Sequence, residues 1–225
     1  MYSKRRFSSA FKVTIILCCL IGILSNLIKT TSLASIFSFY TMQSNLLVLV
    51  FYLGYFIIRK FRPNFDNSNV YYILKGAVIM AIFLTFVVYN ISLKQLDFMM
   101  DVRTSSSNIL NLSNIFVHFI NPILVFIDYI IFDEKGRFKP KYIPAWCIFP
   151  ALYPVYVYTY AYLGGRFFGV GGSKKYAYFF LDLDKIGIDG VIGYLLLFTI
   201  SFIMVSFLVV KFDGLLKKRK ERKKH

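Results

Sequence analysis

Six apolar runs, each long enough to cross a lipid bilayer, follow one another along this chain. A transmembrane helix needs ~20 mostly apolar residues, and a helix satisfies its own backbone hydrogen bonds at that depth. We therefore predict an all-α integral membrane protein with six transmembrane helices. Their expected bounds are about 11–28, 36–58, 73–93, 109–132, 143–163 and 188–210.

The composition agrees with this class, because 57% of the 225 residues are hydrophobic and only 17% are charged. Soluble domains carry more charge and less apolar surface. The segments between the runs are short, so we expect residues 1–225 to form a single polytopic membrane domain that ends in a basic tail, 211–225. The first run follows a basic segment but lacks a small-x-small cleavage site, which favours an uncleaved helix.

Most of the 27 basic residues flank the runs on one side of the predicted bundle. The positive-inside rule then places both termini in the cytoplasm. Topology explains the net charge of +16, and the basic residues show none of the aromatic interleaving of a nucleic-acid interface, so we expect no nucleic-acid partner. The tail 211–225 is either a plain anchor or a binding site for anionic phospholipid headgroups.

One histidine, His118, lies inside the otherwise apolar fourth run, with Asn114 and Asn121 one helical turn away. An ionisable side chain at that depth is costly and indicates a functional site; the alternative is a structural histidine at a kink. Pro122 removes the N–H that the His118 carbonyl would accept, so we expect a kink there. Asp128 lies too far along the helix to contact His118, and we expect it to pair with basic residues of the next loop or to accept backbone N–H groups.

The second run begins with Ser38, Thr41 and Asn45, which share one helix face. Such side chains often serve only to hydrogen-bond neighbouring helices. At 1.5 Å per residue Thr41 lies ~7–8 Å deep and His118 ~13–14 Å deep, close enough for the two to meet. A threonine hydroxyl becomes a nucleophile when a histidine takes its proton, and Asn45 would then stabilise the developing oxyanion.

Further polar residues complete a candidate binding surface with Thr41 and His118 in the outer half of the bilayer. Three tyrosines of the fifth run share a face and suit a cavity wall, although interfacial or packing roles explain them equally well. The glycine-rich segment that follows is expected to cap this face. No spacing of histidine, cysteine or acidic residues indicates a metal site, and no cofactor is expected. The candidate binding residues are Ser38, Asn45, Asn90, Asn114, Asn121, Tyr153, Tyr156 and Tyr160.

Three segments resemble the bacterial six-helix branch of the androgen-induced-protein-like membrane family. They are Ser38-Phe-Tyr-Thr41-Met-Gln-Ser-Asn45, His118-Phe-Ile-Asn-Pro122 with its continuation to Asp128, and Tyr178-Phe-Phe-Leu-Asp182. Animal members of that family are threonine hydrolases of fatty acid esters of hydroxy fatty acids. The resemblance implies that Thr41 is the nucleophile and His118 the base of an acyl-enzyme reaction.

The predicted function is therefore a lipid-ester hydrolase in the plasma membrane of a bacterium, with membrane lipids as partners and a lipid ester as substrate. Two alternatives stay open. In the first, the polar residues line a binding or transport path for a small molecule, which requires a pocket that is continuous to both membrane faces. In the second, the protein is a structural or regulatory subunit, and its polar residues only pack helices together.

Overall fold

The computed structural model describes residues 2–28, 32–90, 113–169 and 172–222, and almost all of them are helical. The helices are α1 Tyr2–Leu27, α2 Leu33–Ser38, α3 Tyr40–Phe61, α4 Asn69–Val88, α5 Asn121–Phe132, α6 Ile143–Tyr162 and α7 Leu183–Arg222. One antiparallel hairpin joins β1 Phe167–Gly169 to β2 Gly172–Lys174. Short 3-10 turns occupy Phe65–Asn67, Pro140–Tyr142 and Phe179–Leu181.

Five helices in the described ranges are long and apolar enough to cross a membrane, which agrees with the predicted all-α membrane class. These spans are Arg5–Leu27, Tyr40–Phe61, Asn69–Val88, Ser113–Phe132 and a stretch within Leu183–Arg222. The fifth predicted run also forms a helix of 20 residues, α6, but its prolines and tyrosines make it less apolar than the other five. The count of six spans therefore stays a prediction, and the expected start of the fourth, 109–112, falls outside the described residues.

Local chemistry explains where several helices begin or break. The second predicted run divides at Phe39, whose extended backbone separates α2 from α3. The side chains of Ser32 and Ser68 cap α2 and α4 by accepting a backbone N–H from the first turn. Within α7, Gly187 adopts φ 67°, a left-handed conformation that glycine tolerates. Beyond this break α7 continues to Arg222, so the basic tail extends the last helix.

The kink expected near Pro122 takes the form of a π-helical turn at Phe116–Ile120, directly before α5. The Asn121 N–H donates to the Phe116 carbonyl, five residues back rather than four. Such wide turns are rare and occur frequently at functional sites. The turn buries the side chains of Val117 and His118 against the bundle.

The packed core lies among α1, α3, α4, α5 and α6 and is rich in aromatic side chains. Trp146 of α6 is fully buried and donates its indole N–H to the Ile73 carbonyl at 3.1 Å. Gly76 of α4 makes this possible, because a Cβ at that position would overlap the Trp146 ring. By contrast, α7 packs mainly against α6 and the turn before α7, and ten of its large apolar side chains are exposed.

Four charged residues meet inside the bundle, at the end that carries the basic loops. We call Lys12, Lys75, Asp128 and Asp133 the charge cluster. The carboxylate of Asp128 accepts from Lys12 Nζ at 2.8 Å, from Lys75 Nζ and from the Tyr52 hydroxyl at 2.9 Å. Lys75 also lies 3.5 Å from Asp133. Asp128 does pair with basic residues, but the expected partners in the following loop were wrong: they come from α1 and α4.

Replacing Asp128 should destabilise the protein far more than replacing an exposed aspartate. Asp128→Asn leaves Lys12 and Lys75 buried without their shared counter-charge, and breaking a buried pair costs about 3–5 kcal/mol. The control Asp184→Asn removes only the exposed pair with Lys175, and because solvent screens that pair its loss should change the stability little. Thermal unfolding of the purified variants in detergent measures both losses. Equal losses would show that the charge cluster does not stabilise the bundle.

Candidate active site

A cavity of about 350 Å³ opens at the end of the bundle opposite the charge cluster. Its wall is formed by the start of α3, the end of α4, the middle of α6, the turn before α7 and the first half of α7. Most of the lining is apolar. The polar side chains in the wall include Tyr40, Thr41, Tyr89, Tyr153 and Tyr178. Apolar walls with a few convergent polar groups are typical of small-molecule and lipid sites.

Thr41 lies half-buried in the first turn of α3, where its side chain faces Tyr178. The Tyr178 phenol interacts with the side chain and backbone of Thr41 and with Tyr153. Burial raises the pKa of this phenol, and the interactions with Thr41 and Tyr153 oppose the rise. The phenol is therefore protonated at neutral pH, and it is available as a hydrogen-bond donor beside Thr41.

Tyr40 supplies a second hydroxyl to the same wall. Its side chain is only 7% exposed, and its hydroxyl has no hydrogen-bond partner among the described residues. Aromatic contacts hold the ring in place, with centroids 5.1 Å from Tyr153 and 5.4 Å from Phe149. An unpaired hydroxyl in a buried wall is costly, so a ligand oxygen in the cavity would satisfy it.

His118 does not line the cavity. Its imidazole stacks on Tyr89, with ring centroids 3.7 Å apart and an interplanar angle of 12°, and Tyr89 does line the cavity. The histidine is therefore one side chain away from the cavity. Its Nδ1 is buried without a hydrogen-bond partner in the part of the chain that the structure describes, and no hydrogen bond joins it to Thr41.

Asn45 ties the two predicted catalytic segments together. Its amide nitrogen donates to the Thr41 carbonyl at 2.8 Å and to the Val117 carbonyl at 3.1 Å. Its oxygen accepts from Asn121 at 2.7 Å. The backbones of Thr41 and His118 are thus held on neighbouring helices. Because its amide hydrogens go to backbone carbonyls, Asn45 serves to join helices here, rather than as the oxyanion donor that we expected.

The tyrosines of α6 that were predicted to share a cavity wall have separate contacts. Tyr153 lines the cavity and donates to the Ser38 carbonyl at 3.2 Å. Tyr156 instead hydrogen-bonds the Ser38 hydroxyl at 2.7 Å, and Tyr160 stacks on Tyr156. Ser38 therefore connects α2 to α6, and neither it nor Tyr156 and Tyr160 are part of the lining.

None of the four predicted binding asparagines, Asn45, Asn90, Asn114 and Asn121, is part of the lining. Asn90 donates to the Phe86 carbonyl at 2.7 Å, one turn back on its own helix, and Asn114 is half-buried before the π-helical turn. Sequence reasoning missed Tyr40, Tyr89 and Tyr178 as members of the wall. Tyr178 does begin the third segment that carries the family resemblance. Nothing in the sequence, however, indicated that it lies beside Thr41.

Removing the Asn45 amide should loosen the link between the Thr41 and His118 segments. Asn45→Ala leaves the Val117 carbonyl and the Asn121 amide without their buried partner, which costs about 1–3 kcal/mol. Asn64→Ala is the matched control, because Asn64 is exposed and its side chain makes no cap hydrogen bond. Thermal unfolding should show a clear shift for Asn45→Ala and almost none for Asn64→Ala. An Asn45→Ala variant that unfolds at the same temperature as the wild type would contradict the role of Asn45 in joining the helices.

Comparison with known proteins adds no relative: no family model, curated protein or solved structure matches this chain. The resemblance to the androgen-induced-protein-like family therefore stays a prediction from three short segments. What the chain does has to be argued from the cavity and from the side chains that surround it.

Proposed function

We propose that this chain is a membrane-embedded hydrolase of fatty acyl esters, with Thr41 as its nucleophile and His118 as its base. One observation supports this most strongly. The Thr41 hydroxyl lies in the wall of an apolar cavity, beside the protonated phenol of Tyr178 and on a backbone tied to the His118 segment. A nucleophile, a donor for the oxyanion and a nearby buried imidazole are the groups that acyl transfer requires.

The cavity suits an acyl ester because hydroxyl groups and apolar side chains share its wall. Thr41, Tyr40 and Tyr178 offer hydroxyl groups to an ester, while Leu195 and Phe198 continue the wall with apolar surface. The ester carbonyl would lie at the hydroxyl end and the hydrocarbon chain along the apolar wall.

In the proposed reaction, the Thr41 oxygen attacks the ester carbonyl as His118 removes the hydroxyl proton. The Tyr178 and Tyr40 hydroxyls donate to the oxyanion of the tetrahedral intermediate. His118 returns the proton to the leaving alcohol, and a water molecule then hydrolyses the acyl-threonine to release the acid. Proton transfer needs a separation of about 2.6–3.2 Å, so the reaction requires the Tyr89 ring to give way and let the imidazole reach Thr41.

Binding without catalysis is the second candidate, and the absence of a hydrogen bond between Thr41 and His118 favours it. The unpaired Tyr40 hydroxyl would then hold a ligand that leaves unchanged. Transport is a poorer fit. The cavity is confined to one end of the bundle, while Trp146, Tyr72 and the charge cluster fill the other end. A purely structural role is the third candidate, and it leaves the cavity unexplained.

The proposal includes a location. The chain would lie in a bacterial plasma membrane with six spans, both termini in the cytoplasm and the cavity in the outer half of the bilayer. The basic end of α7, which is exposed over its last turns, would contact anionic phospholipid headgroups. Neither a nucleic-acid partner nor a cofactor enters this proposal.

Covalent labelling with a fluorophosphonate that carries an acyl chain tests the nucleophile. We expect the purified protein and Thr41→Ser to become labelled, because both keep an activated hydroxyl in the cavity. Thr41→Ala and His118→Ala should not be labelled, because the first lacks the nucleophile and the second its base. The control Thr14→Ala alters an exposed hydroxyl on α1 that bonds only its own helix, and it should be labelled normally.

Intact mass and thermal unfolding confirm that each variant is folded and show how many sites react. Labelling that persists in Thr41→Ala would exclude Thr41 as the nucleophile. A folded wild-type protein that resists probes of several chain lengths would overturn the hydrolase proposal in favour of non-catalytic binding.

A further inference from the structure

The cavity has an exposed edge, and that edge lies between two helices. Among the lining residues, Ala151 and Val155 of α6 and Thr199 of α7 are exposed, and Val155 keeps 61% of its surface. All three lie well inside their helices rather than at the ends. In a membrane this edge faces hydrocarbon, because the same side of α7 exposes Leu196 and Ile200.

The Thr41 end of the cavity is roofed by the turn before α7. The Phe180 ring packs on Phe198 of α7 with centroids 4.8 Å apart, and Phe179 packs on Tyr194 at 5.7 Å. The Tyr158 hydroxyl donates to the Leu181 carbonyl at 3.1 Å, which fastens this turn to α6. Phe180 and Leu181 are buried lining residues, so the roof separates the cavity from the membrane surface above it.

The opposite end of α7 is fastened just as firmly. Asp213 is fully buried in α7 and accepts from the Tyr129 hydroxyl at 2.6 Å and from the Phe138 N–H at 2.8 Å. The Phe212 ring stacks on Phe126 of α5. Between these two attachments, α6 and α7 leave the exposed edge of the cavity.

We propose that this edge is a lateral portal, formed by Ala151, Val155 and Thr199, through which the acyl chain of a bilayer lipid enters the cavity. The lipid is a membrane-resident acyl ester whose carbonyl end reaches the hydroxyls of Thr41, Tyr40 and Tyr178 while its chain extends between α6 and α7. This inference rests on the proposed function for the identity of the ester, but the portal itself follows from the burial pattern.

Three properties of the wall carry the proposal. In the part of the chain that the structure describes, the buried side chains of Phe180 and Leu181 cover the Thr41 end of the cavity. The portal side chains are small or apolar, so a hydrocarbon chain crosses them without desolvating a charge. Among the described residues, the buried Tyr40 hydroxyl has no hydrogen-bond partner at the far end of the cavity, where the polar end of an amphipathic lipid would arrive.

The test is photocrosslinking in liposomes with a phospholipid that carries a diazirine in its acyl chain, followed by mapping of the modified peptides. We expect adducts on the buried lining residues Tyr153 and Phe202, which lipid outside the cavity does not reach. Thr199→Trp should reduce these adducts to background by filling the portal. Ile200→Trp, which enlarges an exposed neighbour outside the lining, should leave them unchanged.

A second pair guards against a folding defect in the tryptophan variants: Ala151→Phe narrows the portal from α6, and Leu152→Phe enlarges its exposed neighbour. Adducts confined to exposed faces, or lost equally in both members of each pair, would overturn the portal. Lipid labelling needs only an intact cavity, so Thr14→Ala, which alters an exposed hydroxyl on α1, should retain it. Lipid adducts without fluorophosphonate labelling would refute the hydrolase proposal and support the portal. Fluorophosphonate labelling without lipid adducts on the lining would refute only the portal.

Discussion

A single buried carboxylate organises one end of this bundle. Asp128 receives hydrogen bonds from Lys12, Lys75 and Tyr52, so it joins α5 to α1, α4 and α3 at one point. Charges at this depth are tolerated only when each finds a partner, and that requirement fixes how the four helices are rotated relative to one another. The aromatic core around Trp146 packs against the helices that this cluster has already aligned.

The tight packing around the charge cluster stabilises the bundle, so the helices can pack less tightly at the opposite end, where the cavity lies. Where α1, α3, α4 and α5 pack closely, hydroxyl and amide groups such as those of Ser44, Thr85, Asn45 and Asn121 pair across helices. The prolines and tyrosines of α6 and the peripheral position of α7 prevent equally tight packing on their side. The cavity lies between the tightly packed helices and the looser pair α6 and α7. Thr41, on the tightly packed side, and Tyr178, in the turn before α7, both contribute hydroxyl groups to its wall.

The sequence predicted the fold class well because apolar run length is a direct consequence of bilayer thickness. Counting residues along each helix also placed Thr41 and His118 at depths from which the two could meet, but no hydrogen bond joins them in the structure. The sequence could not predict that His118 would stack on Tyr89 instead of facing Thr41, because side-chain partners across helices depend on rotation, which the π-helical turn at Phe116–Ile120 alters. The Asp128 pairing was missed for a related reason: Lys12 and Lys75 resemble flanking charges in the sequence, and only the packed bundle shows that they turn inward.

Tyr178 lies 137 residues along the chain from Thr41, yet its phenol interacts with that threonine. The outer wall of the cavity, on α7, comes still later in the chain. During synthesis, therefore, the helices that bear Thr41 and His118 enter the membrane well before the cavity can close around them. A chain that ended before α7 would hold both residues without an enclosed site, so the cavity is complete only when the last helix has packed against α6.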